Sequence, residues 1–195
     1  MGTFAFMKGG AYMTKIRNLL LQFVLFAMSG WIYEVLYTLG AWGEYENRGV
    51  LFGPWLPLYG FGGMIIYALF GKLTGKPVRI ARLNFRIVLI FFYTCIFATL
   101  IELGATYLLD AIGMDFRILW DYSERFMNFE GRVSLSASLW FGALCVAILY
   151  LVMPLYRRFV GLRNQKLVHA VAWPIIVLFL IDAAARIPLG SNYVG

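Results

Sequence analysis

The sequence predicts an all-α integral membrane protein that forms a single membrane domain over residues 1–195, with about five transmembrane helices. Apolar residues make up 62% of the chain and charged residues only 14%, whereas a soluble domain carries about 25% charged residues. Five segments also approach the roughly 20 apolar residues that a helix needs to cross a bilayer. These segments are Ile16–Ala41, a stretch that ends near Leu73, Ile87–Leu109, Val133–Tyr156 and Leu167–Ile187.

The second segment begins with a stretch that cannot form an ordinary spanning helix. Gly49–Gly63 is apolar, yet seven of its fifteen residues are Gly or Pro. Proline interrupts helical hydrogen bonding, and backbone amides without partners cannot face lipid. We therefore expect an ordered but broken element that packs within protein, with an outer loop and re-entrant element at residues 43–57.

The basic residues predict the orientation. Lys and Arg concentrate in residues 71–86 and 157–166, which contain no acid, as the positive-inside rule requires of cytoplasmic loops. With the N-terminus inside and the C-terminus outside, 12 of the 17 basic residues are cytoplasmic. The net charge of +7 therefore reflects topology in the plasma membrane, and we expect no nucleic-acid partner. Residues 1–14 are expected to be a tail or an interfacial segment.

Carboxylates within the apolar segments indicate where a polar site lies. Each one costs a few kcal/mol inside a span. At about 1.5 Å per residue, Glu34 lies roughly 25 Å along its helix from Arg17, and Glu102 roughly 24 Å from Arg86. Both are therefore expected at one level in the outer third of the membrane. The predicted outward-facing site is lined by Glu34, Arg48, Glu102, Asp121 and Arg132, with Trp120 beside Asp121.

Residues 110–132 are expected to form a charged, aromatic collar at the outer membrane surface. We predict that Glu34 and Glu102 approach one another or share Arg48 or Arg132 as a partner, with Asp121 closing the site. A structural reading stays open, in which the arginines only fix loops against helices. On the last segment, Asp182 and Arg186 are spaced i, i+4 and are expected to pair.

Two stripes of residues predict which helix faces are buried. The polar stripe should face the bundle interior, and the small-residue stripe predicts a close helix contact rather than a ligand site. The polar stripe is Cys95, Thr99, Glu102 and Thr106, and the small-residue stripe is Ser134, Ser138, Gly142 and Cys145.

Histidine and cysteine chemistry is not expected at the outer site. The only histidine, His169, lies in the inner basic region, and no Cys/His cluster offers zinc ligands. We predict no catalytic residue, no metal and no cofactor. A site made of carboxylates could still bind a hard cation or carry protons.

Five motifs follow one another along the chain: Gly30-Trp31-Ile32-Tyr33-Glu34, Asn47-Arg48-Gly49-Val50-Leu51-Phe52-Gly53-Pro54, Pro57-Leu58-Tyr59-Gly60-Phe61-Gly62, Trp120-Asp121-Tyr122-Ser123, and Asn128-Phe129 followed by Gly131-Arg132-Val133-Ser134-Leu135. In this order they resemble the bacterial CmpB-like family of type IV ABC-transporter permeases. The resemblance covers Asn18 to Tyr156. Small eukaryotic transmembrane proteins with a Trp-Asp-Tyr-Ser motif are similar to a lesser extent.

The resemblance implies a polytopic transport permease, and it implies further site residues. By position these are Asn47, Tyr122 and Asn128, besides Glu34, Arg48, Glu102, Asp121 and Arg132. Ser134 and Ser136 depart from the family, which is more apolar in this stretch.

The leading interpretation is therefore a permease-like transport protein in the lipid bilayer. It is expected to self-associate or to bind a partner membrane subunit. The chain contains no phosphate-binding glycine loop, so an ATPase would be a separate chain. Two alternatives stay open: a membrane-embedded enzyme that acts on an amphiphile head group at the outer leaflet, and a non-catalytic assembly or sensor subunit.

Overall fold

The structure, a computed structural model, confirms the all-α membrane class. It describes residues 2–45, 47, 49–75, 79–80 and 83–186, and helices account for 76% of the chain. The helices are α1 (Gly2–Trp42), α2 (Pro57–Phe70), α3 (Arg86–Ala111), α4 (Leu135–Ala147), α5 (Met153–Val160) and α6 (Gln165–Arg186). Two antiparallel hairpins pair β1 (Arg79–Ile80) with β2 (Leu83–Asn84) and β3 (Asn128–Phe129) with β4 (Val133–Ser134).

Four helical stretches of the described chain are long and apolar enough to cross a membrane. They are Tyr12–Gly40, Arg86–Ala111, Leu135–Val160 and Gln165–Arg186. The third joins α4 to α5 through a π-helical turn at Ile148–Val152. The fifth predicted segment contains α2, whose 14 residues extend only about 21 Å at 1.5 Å per residue. The count of five spans and the orientation of the termini therefore stay predictions.

The predicted break before α2 is present. Residues 49–56 form bends without a helix, and α2 begins at Pro57. Proline suits the first helical position, because no intrahelical hydrogen bond is lost there. Re-entry of this element into the membrane stays a prediction. At the other end of the sequence, residues 2–14 continue α1 as helix, so a separate tail is not seen there.

The chain divides into two compact units, and the single membrane domain expected from the sequence stays a prediction. The first unit combines residues up to Phe61 with those from Pro154 onward, and the second runs from Gly62 to Met153. In the first unit, α1 and α6 pack together around the irregular residues before α2. Its buried cluster contains Val24 and Ala27 of α1 with Leu51 and Trp55, and Phe179 of α6 packs against it.

The second unit is organised around the contact between α3 and α4. Ile66, Phe70, Ile90 and Leu149 form its buried apolar cluster. Along the contact, Thr99 Oγ1 donates a hydrogen bond of 2.6 Å to Ser138 Oγ. The small-residue stripe of α4 therefore faces the polar stripe of α3, as expected.

Gly142 lies at the closest point of this helix contact. A Cβ atom at this position would overlap the sulfur of Cys95 and lie 3.3 Å from the carbonyl oxygen of Phe91. We predict that Gly142→Ala costs about 1–3 kcal/mol in the free energy of unfolding, because an overpacked contact has to separate. Thermal unfolding of the purified protein in detergent, followed by tryptophan fluorescence, measures this loss.

Gly104 provides the matched control on α3. A Cβ atom there would meet no atom within 4 Å. Gly104→Ala should raise the midpoint temperature of thermal unfolding slightly, since alanine favours a helix by up to about 1 kcal/mol over glycine. Equal shifts for the two variants would contradict the close contact at Gly142.

Candidate functional site

Glu34 of α1 is held by the first turn of α2 in the first unit. The hydroxyl of Tyr59 donates a short hydrogen bond to Glu34 Oε1. Gly30 lies one turn earlier on α1, where a Cβ atom would overlap the Tyr59 ring. In the motif Gly30-Trp31-Ile32-Tyr33-Glu34, the glycine leaves space for the Tyr59 ring. The glutamate accepts the hydrogen bond of the Tyr59 hydroxyl.

Asn47 connects the outer loop to the same helix. Trp31 Nε1 donates to Asn47 Oδ1 at 2.9 Å, and Asn47 Nδ2 donates to the carbonyl of Phe52 at 3.4 Å. Asn47 thus orders the loop that precedes α2. The neighbouring candidate Arg48 lies outside the described residues, so its role as a partner of Glu34 stays a prediction.

Asp182 of α6 is the strongest anchor of this loop. One carboxylate oxygen accepts from the backbone N–H of Phe52 at 3.1 Å. The other accepts from the backbone N–H of Gly53 and from Trp55 Nε1, each at 2.7 Å. Hydrogen bonds to a charged group contribute more than neutral ones, so three donors on one carboxylate fix the loop firmly.

The expected pair between Asp182 and Arg186 is wrong. Within the described residues, Asp182 uses both oxygens on the loop before α2. The Arg186 guanidinium lies instead over the ring of Phe52, 4.9 Å from its centroid. The i, i+4 spacing permitted an ion pair, but unpaired loop amides inside an apolar unit need an acceptor more.

Glu102 of α3 is buried in the second unit, with 5% of its surface exposed. Tyr122 Oη donates to Glu102 Oε1 at 3.0 Å. The backbone N–H of Tyr122 donates to the carbonyl of Gly131 at 2.8 Å. This bond joins the segment around Tyr122 to the segment around Gly131 within the collar. The Trp-Asp-Tyr-Ser motif therefore fastens the collar to a carboxylate within α3.

Trp120, Asp121 and Asn128 stabilise the collar itself. Trp120 Nε1 donates to the Arg132 carbonyl at 3.0 Å, and Asn128 Nδ2 donates to the carbonyls of Ser123 and Arg125 at 3.0 and 2.9 Å. Asp121 Oδ1 accepts from the Ser123 hydroxyl at 2.6 Å and from its backbone N–H at 2.9 Å. Gly131, at a φ of 71°, leaves no space for a Cβ atom beside Asp121.

The charge of Asp121 is retained because of these contacts. Hydrogen bonds from the Ser123 hydroxyl and backbone, and then the charge of Arg117, lower the pKa of the Asp121 carboxyl below its usual value. Since the folded pKa is depressed, the contribution of Asp121 to stability is present at neutral pH. It is lost as the pH falls through the folded pKa of Asp121, which lies below the usual value for an aspartate.

Arg132 pairs with a carboxylate at the end of α3 and with one in the hairpin of the collar. Its guanidinium lies between the rings of Tyr107 and Phe116, 4.4 Å from each centroid, and it pairs with Asp110 at 2.7 Å and Glu130 at 3.2 Å. Desolvation opposes its charge, but hydrogen bonding and attraction from Asp110 outweigh this effect and raise the pKa of Arg132. In the described part of the chain, its ion pairs are therefore with collar residues.

The structure thus sorts the predicted site residues into two groups, one in each unit. Glu34 and Asn47 belong to the first unit, and Glu102, Trp120, Asp121, Tyr122, Asn128 and Arg132 to the second. A single cavity that unites Glu34 with Glu102 stays a prediction. Sequence reasoning missed Tyr59, Asp182 as the loop anchor, and Asp110; of these, only Tyr59 lies in a motif that resembled a family.

Comparison with known proteins gives one match. A family model described as "Putative ABC-transporter type IV" matches residues 21–187. The match includes α6, whereas the resemblance drawn from the motifs ends at Tyr156, so that narrower limit is corrected. No curated protein and no solved structure matches the chain significantly.

Substitution of Asp182 tests whether its carboxylate anchors the loop. In Asp182→Asn one acceptor oxygen becomes an N–H donor that faces other donors, so the loop should loosen. We predict that the backbone amides of Phe52, Gly53 and Trp55 exchange with deuterium at least about 10-fold faster, which corresponds to a loss of about 1.4 kcal/mol and lies near the range for hydrogen bonds to charged groups. Hydrogen–deuterium exchange with mass spectrometry measures this change.

Asp115→Asn is the matched control for Asp182. Asp115 also accepts a backbone N–H, from Arg117 at 3.0 Å, but it is exposed and lies in the second unit. Its substitution should leave the exchange of residues 52–55 unchanged. Unchanged exchange in Asp182→Asn as well would show that other contacts hold the loop.

Proposed function

The chain belongs to this ABC-transporter type IV family, which confirms the resemblance drawn from its motifs, and we propose that it is the permease subunit of a transporter in the plasma membrane. The family match and the four apolar helices make the chain a multi-pass membrane protein of a transporter family.

One observation carries the proposal. Each unit contains a glutamate of a spanning helix that accepts a hydrogen bond from a tyrosine of an irregular or newly started segment: Tyr59 for Glu34 and Tyr122 for Glu102. Membrane carriers commonly bind substrate where a broken helix meets charge inside the membrane. We therefore assign substrate contact to Glu34 and Tyr59 in the first unit and to Glu102 and Tyr122 in the second.

The proposed energy source is an ATPase on a separate chain. The chain has no phosphate-binding glycine loop, while the end of α5, the following turn and the start of α6 carry four exposed basic side chains. These are Arg157, Arg158, Arg163 and Lys166. We propose that this surface is cytoplasmic and that it meets an acidic surface of the ATPase.

The alternative of an enzyme that acts on an amphiphile has less support. A surface groove between α3 and α4 has room for about 500 Å³, and such an enzyme would require a groove of this kind. However, its lining is apolar: Ile87, Val88, Phe91, Phe92, Ala143 and Val146. These residues lie at the opposite end of α3 from Glu102, about 15–22 Å away along the helix. The groove therefore offers no general base or phosphate ligand.

The proposal is tested in the native host cell, where an ATPase partner would be present. We compare solutes inside the cells and in the medium by mass spectrometry, for cells that carry the natural gene, its deletion, Glu34→Gln or Glu102→Gln. We expect the deletion to change the distribution of one solute class between the cells and the medium. Both glutamine variants should reproduce this change, because they keep the shape of the site but remove its charge.

Glu124→Gln is the control, since Glu124 is an exposed carboxylate of the collar. It should transport as the natural protein does. ATP-dependent uptake of the affected solute into membrane vesicles then separates transport from indirect metabolic effects. The proposal is contradicted if no solute changes on deletion. It also fails if the glutamine variants retain transport, or if they lose it only because the protein unfolds.

A further inference from the structure

The collar ends in an exposed apolar tip. Phe126 is 80% exposed, Met127 64% and Phe129 52%. They stand at the start of the β3–β4 hairpin, in which Asn128 pairs with Ser134 and Phe129 with Val133. Three large apolar side chains side by side at a loop tip are unusual unless they contact a partner or a membrane.

The tip is held in one conformation. Asn128 donates to two carbonyls of the preceding turn, and its own Oδ1 accepts from the N–H of Gly131 at 3.1 Å. Met127 and Glu130 have φ angles of 50° and 54°, in the left-handed region that residues other than glycine rarely adopt. The hydrogen bonds therefore maintain a backbone shape that directs the apolar side chains outward.

The depth of the tip follows from the register of α3 and α4. Thr99 meets Ser138, and Cys95 meets Gly142, so the two helices run antiparallel. Continuing this register places Leu135, the first residue of α4, level with Glu102. The N–H of Leu135 donates to the carbonyl of Met127 at 3.3 Å, which places the tip at the same level.

This level is below the end of α3. Glu102 lies about 24 Å along α3 from Arg86, whereas the helix continues to Ala111, about 14 Å further. The hydrocarbon core is about 30 Å thick, so a helix that enters near Arg86 reaches its outer boundary a few residues beyond Glu102. The tip therefore lies near the outer edge of the hydrocarbon core and not in bulk water.

We propose that the hairpin of residues 120–134 is an interfacial element that inserts Phe126, Met127 and Phe129 into the outer leaflet. The occupant of this surface is the lipid bilayer, because the tip adjoins the start of α4, a helix long and apolar enough to span a membrane, through the hydrogen bond between Leu135 and Met127. Leu135, Leu139 and Trp140 of α4 are 41%, 42% and 55% exposed.

The hydrogen bonding of the hairpin is compatible with this position. Lipid-exposed backbone requires internal partners. Tyr122 and Gly131 share a hydrogen bond of 2.8 Å, as do Arg125 and Tyr122, and Arg132 donates to Phe129 at 2.9 Å. The exposed charges of Glu124 and Glu130 remain at the head-group level, where water reaches them.

Spin labelling measures the environment of the tip directly. Phe126→Cys and Phe129→Cys are labelled with a nitroxide and reconstituted in vesicles of phosphatidylcholine and phosphatidylglycerol at 3:1. Collision of the label with oxygen reports lipid, and collision with a water-soluble nickel chelate reports water. The measured quantity is the ratio of oxygen accessibility to nickel accessibility. At both positions we expect this ratio to be higher, by about 5-fold or more, than the ratio at a position in water.

Two further cysteine variants calibrate the measurement. Leu178→Cys, on an exposed position in the middle of α6, represents lipid, and Lys166→Cys represents water. Cys95 is buried and Cys145 is partly buried, so labelling of the unsubstituted chain is measured as the background and subtracted. A nickel accessibility equal to that of Lys166→Cys would overturn the proposal, since the tip would then be in water. Low accessibility to both reagents would also overturn it, because a protein partner would then cover the tip.

Discussion

A carboxylate inside a membrane-spanning helix requires hydrogen-bond donors, and this requirement determines much of the structure. The ionised group cannot be left without a partner in a medium that excludes water. Glu34 and Glu102 each accept from a tyrosine, and Asp182 accepts from two backbone amides and an indole. In each case the donors come from a segment that begins a helix or is not helical.

Irregular backbone within an apolar unit in turn needs hydrogen-bond acceptors for its N–H groups. The residues before α2 contain prolines and glycines and cannot satisfy their own amides as a helix would. Asp182 supplies the acceptor for Phe52 and Gly53. In the second unit, Glu102 accepts a hydrogen bond from the Tyr122 hydroxyl. The guanidinium of Arg132 packs against the rings of Tyr107 and Phe116 and stabilises the collar. The carboxylates that the sequence predicts to line a substrate site therefore hold neighbouring irregular segments in place.

The sequence predicts the helices well, because their apolar length is set by the thickness of the bilayer. It also predicts the break before α2, because proline and glycine act locally. Partners are harder to predict, since they depend on tertiary register. Asp182 and Arg186 are spaced for an ion pair, yet Asp182 binds a loop about 130 residues away in sequence. Arg132 is likewise paired with Asp110, which no motif indicated.

The depth of the collar could not be read from the sequence either. Composition predicts a charged, aromatic segment at the membrane surface. Only the contact of Thr99 with Ser138 shows that α4 begins level with Glu102, below the end of α3. The same register brings Tyr122 within hydrogen-bonding distance of Glu102. The local sequence pattern thus identifies the polar residues in apolar segments. The packing of the helices determines which of these residues come into contact.

The bond between Tyr122 and Glu102 gives the most direct test of this account. Tyr122→Phe removes only the hydroxyl, which leaves a buried carboxylate oxygen without that donor. Tyr107→Phe is the comparison, because the Tyr107 hydroxyl makes only a long, exposed contact of 3.4 Å with Glu130. The measurement is the free energy of unfolding of both variants in detergent. The account predicts a loss of about 1–3 kcal/mol for Tyr122→Phe and almost none for Tyr107→Phe. Equal stability of the two variants would contradict it.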